Sequence, residues 1–340
     1  METNAKKIYN SIDLAKFIAA ILVVAIHTQP FKGTDYDYYF TCFCRLAVPF
    51  FFVASSYFFF RRPSPDVKKY TKRLGTLYLM WFILELPIVY KRFFVDFDHS
   101  LPLQILNFFK ELVFNNTWWA SWYIMASILS VNIIVFIQRR YRLDNKSLLI
   151  IAVGGYFLSL ISSGYYGVLD SFFNERLQFY HKAFSWCFHP ANSFIVALIY
   201  VMIGKILSES EWQKWSAFKR ESVVIVLLVV CLCAGMAEVH LLKWSAYIND
   251  AFVFLPFVTI IGFVILLKTD IKIKPSIALW LRNLSILIYI LHPLCQFGNS
   301  QLLALKNGDV MFALTVVESI LCATLIILMS RRIDVLKRLY

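Results

Sequence analysis

Ten apolar runs, separated by short polar segments, follow one another along the chain. Each run is close to the roughly 20 residues that a helix needs to cross a bilayer. Since lipid offers the backbone no hydrogen-bonding partner, runs of this length are predicted to be helices. The predicted spans are residues 12–28, 40–60, 76–94, 119–138, 147–164, 190–207, 222–240, 251–268, 277–297 and 310–330.

The composition places the chain among membrane proteins. Of its 340 residues, 59% are apolar and 16% are charged, whereas soluble domains carry about 25% charged residues. No linker or low-complexity tract divides the chain, and the 7 cysteines lack the spacing of a metal site. We therefore predict an all-α integral membrane protein: one domain, residues 1–340, with about ten transmembrane helices and no metal.

The net charge of +13 is unevenly distributed along the chain. Most basic residues fall in alternate connections, among them Lys6 and Lys7 before the first run and the clusters within 61–73 and 139–146. Cytoplasmic loops of membrane proteins carry such an excess of Lys and Arg. The pattern predicts that both termini are cytoplasmic, and it indicates a lipid bilayer, not nucleic acid, as the partner.

Two ionisable residues interrupt the first apolar run. Lys16 and His27 are eleven positions apart. In a helix this separation is a rotation only about 20° beyond three full turns, so the two residues share one helix face, and it is a rise of about 16 Å along the axis. A lysine near a membrane surface is equally well explained by its ammonium reaching the interface. An imidazole in mid-span is harder to explain in this way, because ionisable groups in hydrocarbon usually face a protein interior or a cavity.

Three further ionisable residues are predicted at a similar depth. Arg45 lies near the outer start of the second run, Glu85 in the third and His292 in the ninth. Arg45 and Glu85 could pair simply to hold helices together. The two histidines favour a proton-transfer site instead, because imidazole is most easily poised near neutrality.

Four segments resemble acyltransferase family 3. They are Asp13 to His27, Arg45 to Tyr57 with its Phe-rich run, Trp122-Tyr123, and Leu284 to Pro293, which ends Tyr-Ile-Leu-His-Pro. The resemblance covers essentially the whole chain.

This resemblance implies a bacterial inner-membrane enzyme that moves an acyl group, usually acetyl, from cytoplasmic acetyl-CoA to a hydroxyl of a cell-envelope carbohydrate, a lipid-linked sugar or a related acceptor. His27 is then the general base or a transient acyl carrier. Arg45 stabilises the oxyanion or binds the acceptor. The second-rank candidates for acceptor binding are His292, Glu85, Trp122 and Tyr123, and packing is the better account of the two aromatic residues.

The chain departs from the family pattern at its cations. Lys16 stands where the family usually has arginine, which keeps the charge but loses the bidentate fork. The family's Arg-x-x-Arg at the third span becomes Arg73-Leu-Gly-Thr76, with Lys69 and Lys72 next to it. We take Lys16, Arg73, Lys72 and Lys69 as candidates for binding the CoA phosphates. A solvated cytoplasmic loop also explains the last three.

Two other functions stay open. The first two spans also resemble the membrane domain of vancomycin-resistance serine racemases, which is thought to move an amino acid, and no racemase domain is expected after Tyr340. A free-standing permease for serine or a similar amino acid would use His27 and Arg45 to bind a carboxylate. A non-catalytic membrane partner in an envelope assembly is the weakest alternative, since it leaves the buried charges unexplained.

Overall fold

The computed structural model describes residues 9–97, 99–114, 121–172, 189–243, 250–269 and 271–340, and it is helical without any strand over these residues. The helices are α1 (Asn10–Thr28), α2 (Asp37–Cys44), α3 (Ala47–Phe60), α4 (Val67–Leu84), α5 (Leu86–Tyr90, continued by a π turn over Lys91–Val95), α6 (Leu101–Phe114), α7 (Trp122–Tyr141), α8 (Asn145–Ile161), α9 (Tyr166–Phe172), α10 (Phe194–Glu209), α11 (Ser216–Lys219), α12 (Glu221–Leu242), α13 (Phe254–Lys268), α14 (Pro275–Leu302) and α15 (Gly308–Met329). Short 3-10 turns cover Pro190–Asn192, Trp212–Lys214 and Asp334–Leu339.

Every predicted apolar run overlaps one of these helices. Among the described residues, 6 helical segments are long and apolar enough to cross a membrane, or 8 if each of two bent pairs counts as one span. The predicted runs 190–207 and 251–268 correspond to α10 and α13, which have only 16 and 15 residues. The all-α membrane class is therefore confirmed, while ten spans and cytoplasmic termini stay predictions.

Three predicted runs are not straight helices. The second run is interrupted at Arg45-Leu46, because Pro49 has no N–H to bond the carbonyl of Arg45 four residues earlier. It divides there into α2 and α3, which together still form one candidate span. The third run bends by 72° between α4 and α5, where Glu85 precedes Leu86-Pro87, and the fifth bends by 79° between α8 and α9. A break inside a membrane domain frees backbone polar groups, which proteins tolerate where the break is buried or lines a cavity.

Side-chain caps fix several helix starts. Asp66, Asp144, Ser193 and Asn307 each accept a hydrogen bond from a backbone N–H in the first turn of α4, α8, α10 and α15. These short polar side chains satisfy donors that the first helical turn leaves unpaired.

The helices bury two large apolar clusters. One is built around α3, α7, α8 and α10, and the other around α1, α4, α14 and α15. Val48 and Tyr123 pack against both clusters. At Gly204, where α10 crosses α3, an added Cβ would lie 2.6 Å from the carbonyl oxygen of Val53, so only glycine permits this approach. The candidate site lies where the two clusters meet.

Candidate active site

Two histidines from different helices meet in the interior. His27 occupies the last turn of α1, and its ring stacks on that of His292 in α14, with centroids 5.1 Å apart and an interplanar angle of 28°. Gln296, one turn further along α14, donates to the carbonyl of His27 over 2.9 Å. The sequence predicted both histidines, and the structure brings them together.

The hydrogen bonding of His292 defines its tautomer. His292 is fully buried, and its Nδ1 lies 3.3 Å from the carbonyl oxygen of Ile288. A carbonyl oxygen only accepts, so this hydrogen bond requires a proton on Nδ1. Nε2 has no hydrogen-bond partner among the described residues.

A cavity of about 130 Å³ adjoins this pair. His27, Arg45, Trp122, Asn192 and Tyr289 line it, with Val23, Ile26 and Val48 completing the wall. A second, smaller cavity of about 30 Å³ shares Arg45, Trp122 and Asn192 with the first and also contacts Asp250. We call them the His27 cavity and the Asp250 cavity. His27 and Arg45, which the sequence predicted as the catalytic pair, both line the His27 cavity.

The partner of Arg45 is a residue that the sequence analysis missed. Arg45 Nη1 lies 2.5 Å from Asp250 Oδ1, and Asn192 Nδ2 donates to Asp250 Oδ2 over 2.6 Å. Arg45 therefore pairs with Asp250 and not with Glu85. Asp250 sits at the boundary of a predicted span, where a carboxylate looks like an ordinary interfacial residue, and the sequence carries no signal for its pairing.

Glu85 is buried apart from this group. It lies at the bend between α4 and α5 with no exposed surface, and neither carboxylate oxygen has a hydrogen-bond partner in the described part of the chain. It lines neither cavity. Of the four ionisable residues predicted at this depth, the structure brings together His27, His292 and Arg45.

The two candidate aromatic residues have different surroundings. Trp122 lines both cavities. Tyr123 packs against Phe52 and Tyr289, with ring centroids 4.7 and 5.4 Å away, and its hydroxyl donates to the carbonyl of Phe51 over 3.3 Å. Tyr123 thus packs behind the cavity, while Trp122 forms part of its surface.

The predicted cations lie elsewhere. Lys16 Nζ is 3.6 Å from Asp13 Oδ1 and 5.1 Å from the ring centroid of Phe58. Arg282, which the sequence analysis did not single out, holds the same Asp13 carboxylate with two hydrogen bonds of 2.9 and 2.6 Å. Lys16 lines neither cavity. Arg73 of α4 lies within electrostatic range of Lys16.

Lys69, Lys72 and Arg73 are exposed along α4. Their guanidinium and ammonium groups are therefore open to solvent, and that of Arg73 lies within electrostatic range of Lys16. This placement suits both a phosphate-binding surface and a solvated cytoplasmic loop.

Hydroxyl groups occupy the interior near these cations. Tyr70, one turn before Arg73 on α4, has its hydroxyl 3.1 Å from Ser55 Oγ of α3. Ser127 of α7 is buried, and its hydroxyl interacts with those of Tyr70 and Tyr123. It lies one turn from Tyr123 on α7 and near Tyr70. We call Ser55, Tyr70, Tyr123 and Ser127 the hydroxyl cluster.

The hydroxyl cluster connects to the histidines through aromatic contacts. Tyr123 packs on Tyr289, and the Tyr289 ring centroid lies 6.1 Å from that of His292. Ring contacts therefore link the hydroxyl cluster to His292, whose ring stacks on that of His27.

Residues 9–330 match the family model described as "Acyltransferase domain", that of acyltransferase family 3. The chain therefore belongs to this family, and the resemblance predicted from its motifs is confirmed. Family membership and the apolar helices together define a multi-pass membrane protein of the acyltransferase class.

The curated relatives that the chain matches are named as racemases and not as acyltransferases. An amino-acid racemase of Enterococcus faecalis is 29% identical over 347 residues, which is 97% of this chain and 47% of the relative. A second from the same organism is 32% identical over 211 residues, 59% of this chain and 28% of the relative. A serine/alanine racemase of Enterococcus gallinarum is 28% identical over 174 residues, 47% of this chain and 24% of the relative.

The chain thus spans less than half the length of each of these relatives. No solved structure matches it significantly.

Proposed function

We propose that the chain transfers a short acyl group, usually acetyl, from cytoplasmic acyl-CoA to a hydroxyl of a cell-envelope carbohydrate or lipid-linked sugar in the bacterial inner membrane. The observation that carries this proposal is the His27 cavity, where an imidazole and a guanidinium face one small interior space. A general base and a cationic oxyanion stabiliser are the two groups that acyl transfer requires.

The size of the His27 cavity fits the reacting groups alone. An engineered cavity of about 150 Å³ in another protein holds benzene, so a cavity of about 130 Å³ accommodates an acetyl group but not a nucleotide. The nucleotide of CoA must therefore remain outside. Lys16, Lys69, Lys72 and Arg73 supply the positive charge for its phosphates, and the helical rise from Lys16 to His27 is about 16 Å.

The hydroxyl cluster suits the arm that joins the nucleotide to the thioester. This arm carries two amides, and a buried amide without hydrogen bonds costs several kcal/mol, about 2–7 depending on the reference state. Ser55 and Ser127 carry hydroxyls that can exchange their contacts with Tyr70 and Tyr123 for hydrogen bonds to such amides. The cluster thus offers polar contacts within an otherwise apolar interior.

The proposed reaction has a simple balance. The acceptor hydroxyl oxygen attacks the thioester carbonyl carbon, and His27 takes the hydroxyl proton as the C–O bond forms. The negative charge on the former carbonyl oxygen is stabilised by Arg45. Collapse of this intermediate breaks the C–S bond, and His27 returns the proton to the CoA sulfur.

A second candidate is a permease for a small amino acid. Two observations favour it: the racemase relatives are named for amino acids as substrates, and the opposite charges of Arg45 and Asp250 lie beside a small cavity. A zwitterion could place its carboxylate against Arg45 and its ammonium against Asp250. The same polar residues would then form a midplane solute site.

One experiment on purified protein in lipid vesicles separates the two candidates. Labelled acetyl-CoA is added to one sample and labelled serine to another. If the protein is an acyltransferase, label leaves acetyl-CoA, either as free acetate or on an added sugar acceptor, and serine is not taken up. Serine uptake without any release of label from acetyl-CoA would establish the permease and reject the acyltransferase.

A further inference from the structure

The main chain at Asp250 is fixed by side chains of α8 and of the turn that follows it. Ser163 Oγ accepts hydrogen bonds from the backbone N–H groups of both Asp250 and Ala251, each at 3.1 Å. Tyr156 of α8 donates its hydroxyl to the carbonyl of Phe252 over 2.6 Å. The two contacts hold residues 250–252 against the end of α8.

A partly buried carboxylate fixes the next residues. Glu238 of α12 accepts from the backbone N–H of Val253 over 2.6 Å and from that of Phe254 over 2.9 Å. It therefore satisfies donors at the start of α13. Residues 250–254 are thus bonded on two sides, and the direction in which the Asp250 side chain leaves the chain is well defined.

This arrangement brings the Asp250 carboxylate to the turn between α2 and α3. Its Oδ2 accepts from Asn192 and its Oδ1 forms the ion pair with Arg45. The Asp250 side chain is 6% exposed and that of Arg45 26%. Since solvent screens this pair only weakly, each charge depends on the other for compensation.

An uncompensated guanidinium in such a place would bind any small anion. Small carboxylates and phosphates would then compete with the two reactants of acyl transfer, a thioester and a hydroxyl, neither of which is charged at its reacting atoms. A carboxylate supplied by the protein removes this competition. It also holds the guanidinium in one orientation at the wall of the His27 cavity.

We propose that Asp250 is a positioning residue that holds the Arg45 guanidinium at the wall of the His27 cavity and closes this cavity to small anions. The kinetic part of this inference rests on the proposed acyl transfer. The exclusion of anions does not rest on acyl transfer, because it depends only on whether Asp250 neutralises the Arg45 guanidinium at the cavity wall.

The experiment uses Asp250→Asn, which keeps the shape of the side chain and an oxygen that accepts from Asn192. Thermal unfolding of the full-length protein in detergent is followed in increasing concentrations of sodium acetate, with sodium chloride at equal ionic strength as reference. Acetate is expected to raise the Tm of Asp250→Asn in a concentration-dependent way and to leave wild type unchanged. The rise should disappear in the double variant R45Q/D250N.

Asp144→Asn is the matched control. Asp144 caps α8 on the surface, and asparagine caps helices equally well, so this variant should respond to acetate as wild type does. If Asp250→Asn shows no acetate-dependent rise, or if the rise survives in the double variant, the inference is wrong. If Asp250→Asn fails to fold, recovery of folding in R45Q/D250N supports the inference, and equal failure of both variants contradicts it.

Kinetics give a second readout. With acetyl-CoA as donor, kcat of Asp250→Asn should fall by about 100-fold, the loss expected from displacing a catalytic group by about 1 Å, and added acetate should inhibit this variant but not wild type. If wild type is active and Asp250→Asn has the same kcat, the positioning role is refuted and the proposed acyltransferase activity still stands. A wild type without transfer activity would reject the proposed function, and the acetate titration would still test the exclusion of anions.

Discussion

His27 and His292 stack on each other across the interface of α1 and α14, with ring centroids 5.1 Å apart. The Nδ1 proton of His292 is committed to the carbonyl of Ile288, so this ring cannot rotate freely. His292 therefore presents a fixed surface to the imidazole of His27.

Replacing His292 by glutamine should lower kcat without changing the binding of acyl-CoA. The amide is too short and too flexible to reproduce the stacked ring, so His27 loses its orientation. We expect kcat to fall by about 10- to 100-fold, as for other small displacements of a catalytic group, with KM for acetyl-CoA unchanged. Steady-state kinetics on the purified protein measure both constants. An unchanged kcat would show that the stack has no role in transfer.

The hydroxyl cluster makes a prediction about the donor. Ser127→Ala and Ser55→Ala should raise KM for acetyl-CoA while leaving KM for a short thioester without the pantetheine amides unchanged, because only the long arm passes these hydroxyls. A lost hydrogen bond of about 1 kcal/mol corresponds to a rise of about 5-fold.

Ser130→Ala is the control for these variants. Ser130 lies on the same helix as Ser127, but its hydroxyl bonds the carbonyl of Ala126 over 2.6 Å and is not available to a ligand. Equal effects of Ser127→Ala and Ser130→Ala on the two donors would exclude the cluster from donor binding.

The cations near the start of α1 make a prediction about salt. Lys16→Gln and Arg73→Gln should each raise KM for acetyl-CoA and reduce its dependence on salt concentration, because fewer charges then contact the phosphates. Asp13 keeps its two bonds from Arg282 in the Lys16 variant, which preserves the fold there. Lys214→Gln, on an exposed residue that pairs with Glu211, should change neither quantity. A Lys16 or Arg73 variant that behaves like Lys214→Gln would remove that residue from the donor site.

The sequence predicted the class of fold and the centre of the site, but not the contacts that build it. Apolar runs show where helices form, and the cost of a buried imidazole marks His27 and His292 as interior residues. The pairing of Arg45 with Asp250 was not predictable, because it joins residues far apart in the chain through the packing of α8, α10 and α13. Glu85, like the two histidines, is an ionisable residue inside an apolar run, yet the bend after α4 places it outside both cavities.

Gly204 gives a prediction about stability. Its Cα faces α3 so closely that a Cβ would meet the carbonyl oxygen of Val53 at 2.6 Å and the backbone nitrogen of Tyr57 at 2.8 Å. Gly204→Ala should therefore destabilise the protein by about 1–3 kcal/mol, the usual cost of overpacking. Gly154→Ala, where a Cβ meets nothing within 4 Å, should be neutral or slightly stabilising. Thermal unfolding in detergent compares the two, and equal Tm values would contradict the close packing of α10 on α3.

The role of His27 in acyl transfer is tested most directly by comparing acetyl transfer by His27→Gln with that by His240→Gln. His240 lies on α12, where its Nδ1 is 2.7 Å from the hydroxyl of Tyr39, and it lines neither cavity. With labelled acetyl-CoA and equal amounts of folded protein, His27→Gln should lower kcat by about 10²- to 10⁴-fold, the usual contribution of a general base. His240→Gln should retain the wild-type rate. Wild-type kcat in His27→Gln would contradict the central claim that this imidazole carries the chemistry.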